Sequence, residues 1–248
     1  MNLRKLMTIS IFSFSIISLT GCSSMQNKNV SQDSIVEGFK HVAIASVSDA
    51  VDQIVGQRGF MNYDMRPMVG KSFVGRARTA TFTPADKLPQ GTELNLKSAT
   101  DMIDSAHEGE VGIIVVEDGL NIAGIGGLMA TTAKSRGLAG MVIDGGVRDI
   151  EEITSLGLPV FGRSITPATA VNYYAAIEKD IAVQCAGVTV NPGDIIVAGT
   201  DGVVCVPKNL AEEVLKKAQE IDATETKMVP YIKKNKSIQK AVDEFNRI

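Results

Sequence analysis

The sequence has no tryptophan, only 4 Tyr and 8 Phe, two histidines and three cysteines in 248 residues. So few aromatics give no stacking platform for single-stranded nucleic acid. The charge balance argues the same way: the net charge is −3 with no long basic run, whereas nucleic-acid binding needs a basic stripe. His41 and His107 do not stand at the spacing of a metal-binding pair. No serine lies in a nucleophile-elbow motif. Gly124-x-Gly126 followed by Met129 fails the dinucleotide fingerprint at its last glycine. Lys134 falls mid-helix in the predicted pattern, where lysines are mostly solvated. What remains is a chain that is 44 % apolar and 21 % charged, enough to build a core.

The N-terminus reads as a targeting segment. Arg4 and Lys5 precede an apolar and Ser/Thr stretch from Leu6 to Leu19, which is too short to span a bilayer as a helix. It ends in Leu19-Thr20-Gly21-Cys22, which resembles a bacterial lipobox. The expectation is a lipoprotein signal peptide over 1–21, lipid on Cys22, a flexible tether over 22–38 and one domain over 39–248. Such a chain is exported and lipid-anchored on the periplasmic side, at the outer membrane in a Gram-negative cell. Cys22→Ser is expected to leave the membrane fraction; continued membrane partitioning with an unchanged processed mass would count against lipidation. Cys185 and Cys205 lie in apolar, strand-like runs and read as small buried hydrophobes. An exported compartment permits a disulfide, but sequence cannot set their separation.

Periodicity predicts a mixed α/β domain. A short helix is expected over Ser48–Val55 with Ser48 as N-cap, a strand over Phe73–Phe82, and a helix within Leu94–Ala106. Val111–Val116 is apolar throughout, as a strand buried on both faces would be. A helix is expected from Gly124-Ile125-Gly126-Gly127 to about Arg136, stopped by Gly137. A short strand, Met141-Val142-Ile143, should then end at a loop beginning Asp144-Gly145-Gly146, followed by a helix over Asp149–Leu156 and a strand from Pro159. Strands alternating with helices at this spacing imply parallel pairing. Asn191-Pro192-Gly193 marks a turn between two strands, and Asp201-Gly202 a hairpin. A long amphipathic helix follows Asn209, with a kink or break expected at Pro230.

The chemistry points to Asp144-Gly145-Gly146-Val147-Arg148-Asp149. Ligand sites in α/β folds gather at C-terminal strand ends. Arg148 can hold a carboxylate with a two-pronged bond. Asp149 is a hard oxygen ligand suited to Mg²⁺ or Mn²⁺, but an Asp at this position can equally be a helix N-cap. The amides of Gly126-Gly127-Leu128-Met129, at a helix N-terminus, form a ready anion site.

The run from Gly126 through Lys134-Ser135-Arg136-Gly137-Leu138-Ala139-Gly140 to Arg148-Asp149 resembles the 4-hydroxy-4-methyl-2-oxoglutarate aldolase family. That family also includes the regulator of ribonuclease E activity A. Val47-Ser48-Asp49-Ala50, Val74-Gly75-Arg76-Ala77, Gly187–Asp194 and Asp201-Gly202-Val203-Val204 are similar to its flanking motifs, so the resemblance covers about residues 40–240. It implies a swivelling β/β/α-type fold and a trimer or pair of trimers with sites between subunits. It further implies a divalent metal on Asp149, substrate oxo and carboxylate oxygens on Arg148, the carboxylate on the amides of Gly126, Gly127, Leu128 and Met129, and Glu225 from a neighbouring subunit. Glu225 or Asp144 would order metal-bound water, and the reaction would be retro-aldol cleavage or decarboxylation of a 2-oxo acid through a pyruvate enolate. Some members carry an acidic residue where this chain has Gly127, which leaves the proton route open. A protein-binding scaffold and an exported carboxylate binder are the alternatives to an enzyme.

Overall fold

The computed structural model describes residues 34–247, so the targeting segment, Cys22 and the tether as far as residue 33 lie outside the described residues. Residues 34–38, assigned above to the tether, are instead part of helix α1 (34–39). Phe39 is buried, and Ile35 and Val36 pack on the same apolar cluster.

Helix α2 (Ile44–Val55) begins four residues before the expected start. Ala43 is its N-cap and Ser48 lies inside it. The buried Ser46 extends the packed face by donating a hydrogen bond to Asp222 Oδ1 (2.9 Å). Strands β1 (Arg66–Val69) and β2 (Phe73–Pro84) follow, then α3 (Lys97–Asp104). Strand β3 is Val111–Val116, as expected. Val111 and Ile113 face one cluster while Ile114 and Val116 face another, which is why the run is apolar without alternation. Next come β4 (Ala123–Ile125), α4 (Gly127–Ser135), β5 (Gly140–Val147), α5 (Ile150–Leu156) and β6 (Val160–Ile165).

The Asp144-Gly145-Gly146 segment is a correction. It is not a loop: β5 runs on through Val147. A side chain at Gly146 would meet Ile122 O at 2.8 Å, so glycine is what allows the β4 approach to lie against the strand. The loop that carries chemistry is thereby shortened to Arg148 and Asp149.

The remaining elements are β7 (Tyr174–Ala175), β8 (Val183–Cys185), β9 (Val188–Val190), β10 (Ile195–Gly199), β11 (Gly202–Val206), α6 (Ala211–Asn235) and α7 (Ile238–Phe245). The main sheet has the order β1-β6-β5-β3-β2-β10-β11, with β4 added beside β5 and β7 beside β2. Its β2, β3, β5 and β6 are parallel neighbours; β1, β10 and β11 join antiparallel. The Asn191-Pro192-Gly193 turn hands the chain from the small β8–β9 sheet to β10, and β10–β11 is the expected hairpin. The two ends of the main sheet nearly meet. Phe60 bridges Val204, Met61 N–H donates to Val203 O (2.9 Å) and Arg66 Nη1 donates to Asp201 O (2.9 Å). The result is a mixed α/β domain around a nearly closed, barrel-like sheet, with Phe73 and Phe161 edge-to-face in its core at 5.4 Å.

Pro230 does not break α6, which continues to Asn235. Proline removes one backbone donor. Past it the helix is held by α7, through an edge-to-face contact of Tyr231 with Phe245 (5.5 Å).

Candidate functional site

Parallel pairing of β4 with β5 sets Ile125 beside Val147. The two strands therefore end together, delivering Gly126-Gly127 and Arg148-Asp149 to the same place. Arg148 N–H donates to Ile125 O (3.2 Å) and ties the loops. Asp149 occupies the N-cap position of α5 with left-handed backbone, φ 57° and ψ 41°, and its side chain makes no cap bond to α5. Instead Oδ2 accepts the Gly127 N–H at 2.8 Å, with Arg148 Nε 3.7 Å away. The capping role left open by sequence is thus not what this carboxylate does: it faces across to the start of α4.

The glycines make room for this arrangement. A methyl group at Gly126 would lie 2.7 Å from Asp149 Oδ2 and 2.8 Å from Arg148 Nε. One at Gly127 would collide with the Glu152 carboxylate. The first intrahelical bond of α4 runs from Ala130 N–H to Gly126 O, so the amides of Leu128 and Met129 precede it and are left for a ligand. Around them opens a cleft of about 460 Å³, lined by Gly126 to Met129, Arg148 and Asp149 at one end and by Phe82, Leu94, Leu96 and Val171 along its wall.

Glu152 does not line the cleft but borders it behind Gly127, and the sequence reading did not single it out. It stands three residues after Asp149, which on a helix puts both on neighbouring positions of one face. That spacing was the available signal. Its carboxylate fills the space beside Gly127 from α5.

Two residues expected at the site lie elsewhere in this protomer. Asp144 does not line the cleft. Its Oδ1 accepts from Arg163 Nη1 (2.9 Å) and its Oδ2 from the Ala186 N–H (2.5 Å), locking the β8–β9 hairpin to the main sheet. Asp64 accepts from the same arginine's Nε and Nη2 at 2.9 and 2.7 Å, and the hydrogen bonds Arg163 donates to Asp64 and Asp144 raise its pKa. Glu225, on α6, accepts from Arg247 Nη2 (2.8 Å), which also donates to Asp49 Oδ2 (2.5 Å). Cys185 and Cys205 are buried and unpaired with each other. Burial pushes both thiols up, so they are the inert hydrophobes expected of them. Lys134 donates to Gly157 O (3.1 Å) outside the cleft.

With this geometry in view, comparison with known proteins decides the lineage. The sequence model of the aldolase/RraA family matches residues 44–205. The chain belongs to this family. Among its relatives is the protein DlpA of Legionella pneumophila, 29 % identical over 202 residues, which are 81 % of this chain and 32 % of that protein. The chain thus spans about a third of that relative's length. A 4-hydroxy-4-methyl-2-oxoglutarate aldolase of Thermus thermophilus is 32 % identical over 142 residues, 57 % of this chain and 84 % of that enzyme. Among solved structures, Streptomyces coelicolor RraAS2, described as an unusual member of the RNase ES inhibitor RraA family, matches with a TM-score of 0.68 and 26 % identity, over 78 % of this chain and 94 % of that one. The aldolase/RraA match contains Arg148, Asp149 and Glu152; Glu225 lies beyond it. Among the described residues no helix is long and apolar enough to cross a membrane.

Proposed function

We propose that this chain is a divalent-metal-dependent carbon–carbon lyase that releases pyruvate from a 2-oxo acid. The observation that carries the reading is the convergence of the Asp149 carboxylate, the Arg148 guanidinium and the unpaired first-turn amides of α4 at one end of a cleft. The donor set suits the metal. Among the described residues no group of three or more His, Cys, Asp or Glu forms a cage. Mg²⁺ and Mn²⁺ accept one or two carboxylates, with water and substrate oxygens completing their shells. Asp149 would hold the ion, and Glu152 stands behind Gly127. Bound there, the ion would act as a Lewis acid toward the 2-oxo acid.

The chain's own groups divide the remaining work. Arg148 fixes the carboxylate end with its planar fork, and the Leu128 and Met129 amides add neutral donors to the same anion. In retro-aldol cleavage of a 4-hydroxy-2-oxo acid the C3–C4 bond breaks, the C4 hydroxyl gives up its proton and C4 becomes a carbonyl. The electron pair stays on C3, which is protonated to give pyruvate. Glu152, filling the space a side chain at position 127 would take, is assigned to move that proton. The same reading gives Glu225 to a neighbouring protomer's cleft in an assembly of three or six. A monomer by light scattering at micromolar concentration would remove that role.

The test is initial pyruvate formation by the mature protein with Mg²⁺ or Mn²⁺, with and without chelator. Release that stops on chelation and returns with metal is expected. Its absence on every 4-hydroxy-2-oxo acid and on oxaloacetate would sink the lyase reading. It would favour the protein-binding reading that the Streptomyces relative's description supports.

A further inference from the structure

The end of α6 and the start of α7 form a helical hairpin with its own charge. From Thr226 to Val242 the sequence holds Lys227, Lys233, Lys234, Lys236 and Lys240 and no Asp or Glu, in a chain whose net charge is −3. All five lysines are exposed, and none has an ion pair among the described residues. Helix electrostatics accounts for part of this. Lys233 and Lys234 stand in the last turn of α6, where cations suit the negative end of the helix. Lys240 is in the first turn of α7, whose positive end favours anions instead. The turn between the helices is well made. Lys236 has a left-handed backbone (φ 50°) with its N–H on Ile232 O (2.7 Å), and Ser237 caps α7 by accepting the Lys240 N–H (3.2 Å). Ile238, Ala241, Val242 and Phe245 share one face of α7 by their helical spacing. The last three are buried or half-buried, with Phe245 edge-to-face on Tyr231, but Ile238 is 62 % exposed at the tip, among the lysines.

We propose that this hairpin tip docks on an anionic phospholipid surface, with the lysines on the lipid phosphates and Ile238 entering the boundary with the acyl chains. The proposal does not depend on the lyase reading. A surface that lies on a membrane needs cations to draw it to negative headgroups and apolar area to bury beneath them, and the tip has both. Ile238 decides between polyanions. A nucleic-acid backbone would use the lysines but has no place for an isoleucine. The two aromatics of the hairpin, Tyr231 and Phe245, are half-buried against each other and leave no ring free to stack on bases. The tip lies about 16 Å along α6 beyond Glu225, so docking leaves clear the residue given above to a neighbouring protomer.

The chain from residue 22 on holds the whole described fold. Carrying Cys22→Ser, so that no attached lipid contributes, it is sedimented with vesicles of phosphatidylglycerol and phosphatidylcholine in equal parts, and with vesicles of phosphatidylcholine alone. Binding to the anionic vesicles only is expected at low salt, and its loss at high salt. Lys233→Gln, Lys234→Gln and Lys240→Gln together should weaken it by about 100-fold, from about fivefold for each lysine near such a surface. Glutamine is a good helix former, so the hairpin should persist. Ile238→Ser leaves the charge unchanged and should weaken binding by at least about threefold. Absent binding to anionic vesicles, equal binding to neutral ones, or binding that either variant leaves unchanged overturns the proposal. So does tighter binding to an oligonucleotide that is indifferent to Ile238→Ser, which would make the partner a nucleic acid. Light scattering of the free protein should be the same for the chain with and without Ile238→Ser. A smaller assembly in the variant would make the tip a contact between copies of this chain, and would also overturn the proposal.

Discussion

Asp149→Asn is expected to abolish metal-dependent pyruvate release while leaving the fold intact. The substitution suits the backbone, because asparagine tolerates the left-handed conformation that Asp149 adopts at φ 57°. Its side-chain oxygen can still accept the Gly127 N–H, so the tie between the two loops survives. What is lost is the negative charge that would hold the ion. A metal's Lewis acidity is worth several kcal/mol of transition-state stabilisation, so the fall should be on the order of 10³-fold or more. Mg²⁺ affinity by calorimetry should fall with it, while the thermal midpoint should shift little. Turnover that survives both chelation and Asp149→Asn would put the chemistry on a different part of the molecule.

Arg148→Lys should reduce turnover by about 10²-fold, a loss typical of one transition-state charge contact. Lysine keeps the positive charge but not the planar fork, so the two-pronged hold on a carboxylate becomes a single point contact. Arg148 is 38 % exposed in its side chain and its anchoring bond to Ile125 is made by the backbone. Stability should therefore be little changed. Asp144→Asn supplies the contrast. Asp144 is only four residues earlier, but its carboxylate is spent on Arg163 and Ala186. Removing its charge should lower the thermal midpoint, by about 1–3 kcal/mol of stability for a weakened charged hydrogen bond, and leave kcat/KM within a few-fold. A collapse in turnover without loss of stability in Asp144→Asn would return that residue to the site, and an Arg148→Lys protein with wild-type kinetics would remove the carboxylate role given to Arg148.

These two neighbours show where sequence reading succeeded and where it stopped. Val111–Val116 was legible to the residue because burial on both faces leaves an unbroken apolar run. The nearness of Gly126-Gly127 to Arg148-Asp149 was implied by the family resemblance alone, because Gly124-Ile125 reads locally as a helix start and strand β4 (Ala123–Ile125), whose pairing with β5 brings them together, was not legible. Asp144 was misplaced because adjacency along the chain was taken for adjacency in the site. Strand β5 continues past it, and its partner Arg163 arrives from a later strand, with Asp64 behind it from before β1. Such pairings depend on sheet order, which periodicity does not encode. Glu152 was visible as the third residue after Asp149, but its place beside Gly127 depends on how α5 packs against α4. Likewise nothing local announces that α2 starts at Ile44 rather than near Ser48, because its face is completed by Asp222 from the far end of the chain.

The near meeting of the two ends of the main sheet also bears on how this molecule behaves in crowded surroundings. An open sheet exposes unpaired backbone at its margins, and those margins template aggregation. Here the stretch from Gly59 to Met61 takes up β11 through Cys205 N–H on Gly59 O (2.8 Å) and Met61 N–H on Val203 O. The segment Gly202–Val206 would otherwise present four apolar residues, Val203 to Val206, without charge at an open margin. Substitutions that loosen residues 59–61 should therefore show first as aggregation of folded protein, before any change in the cleft on the other side of the sheet order.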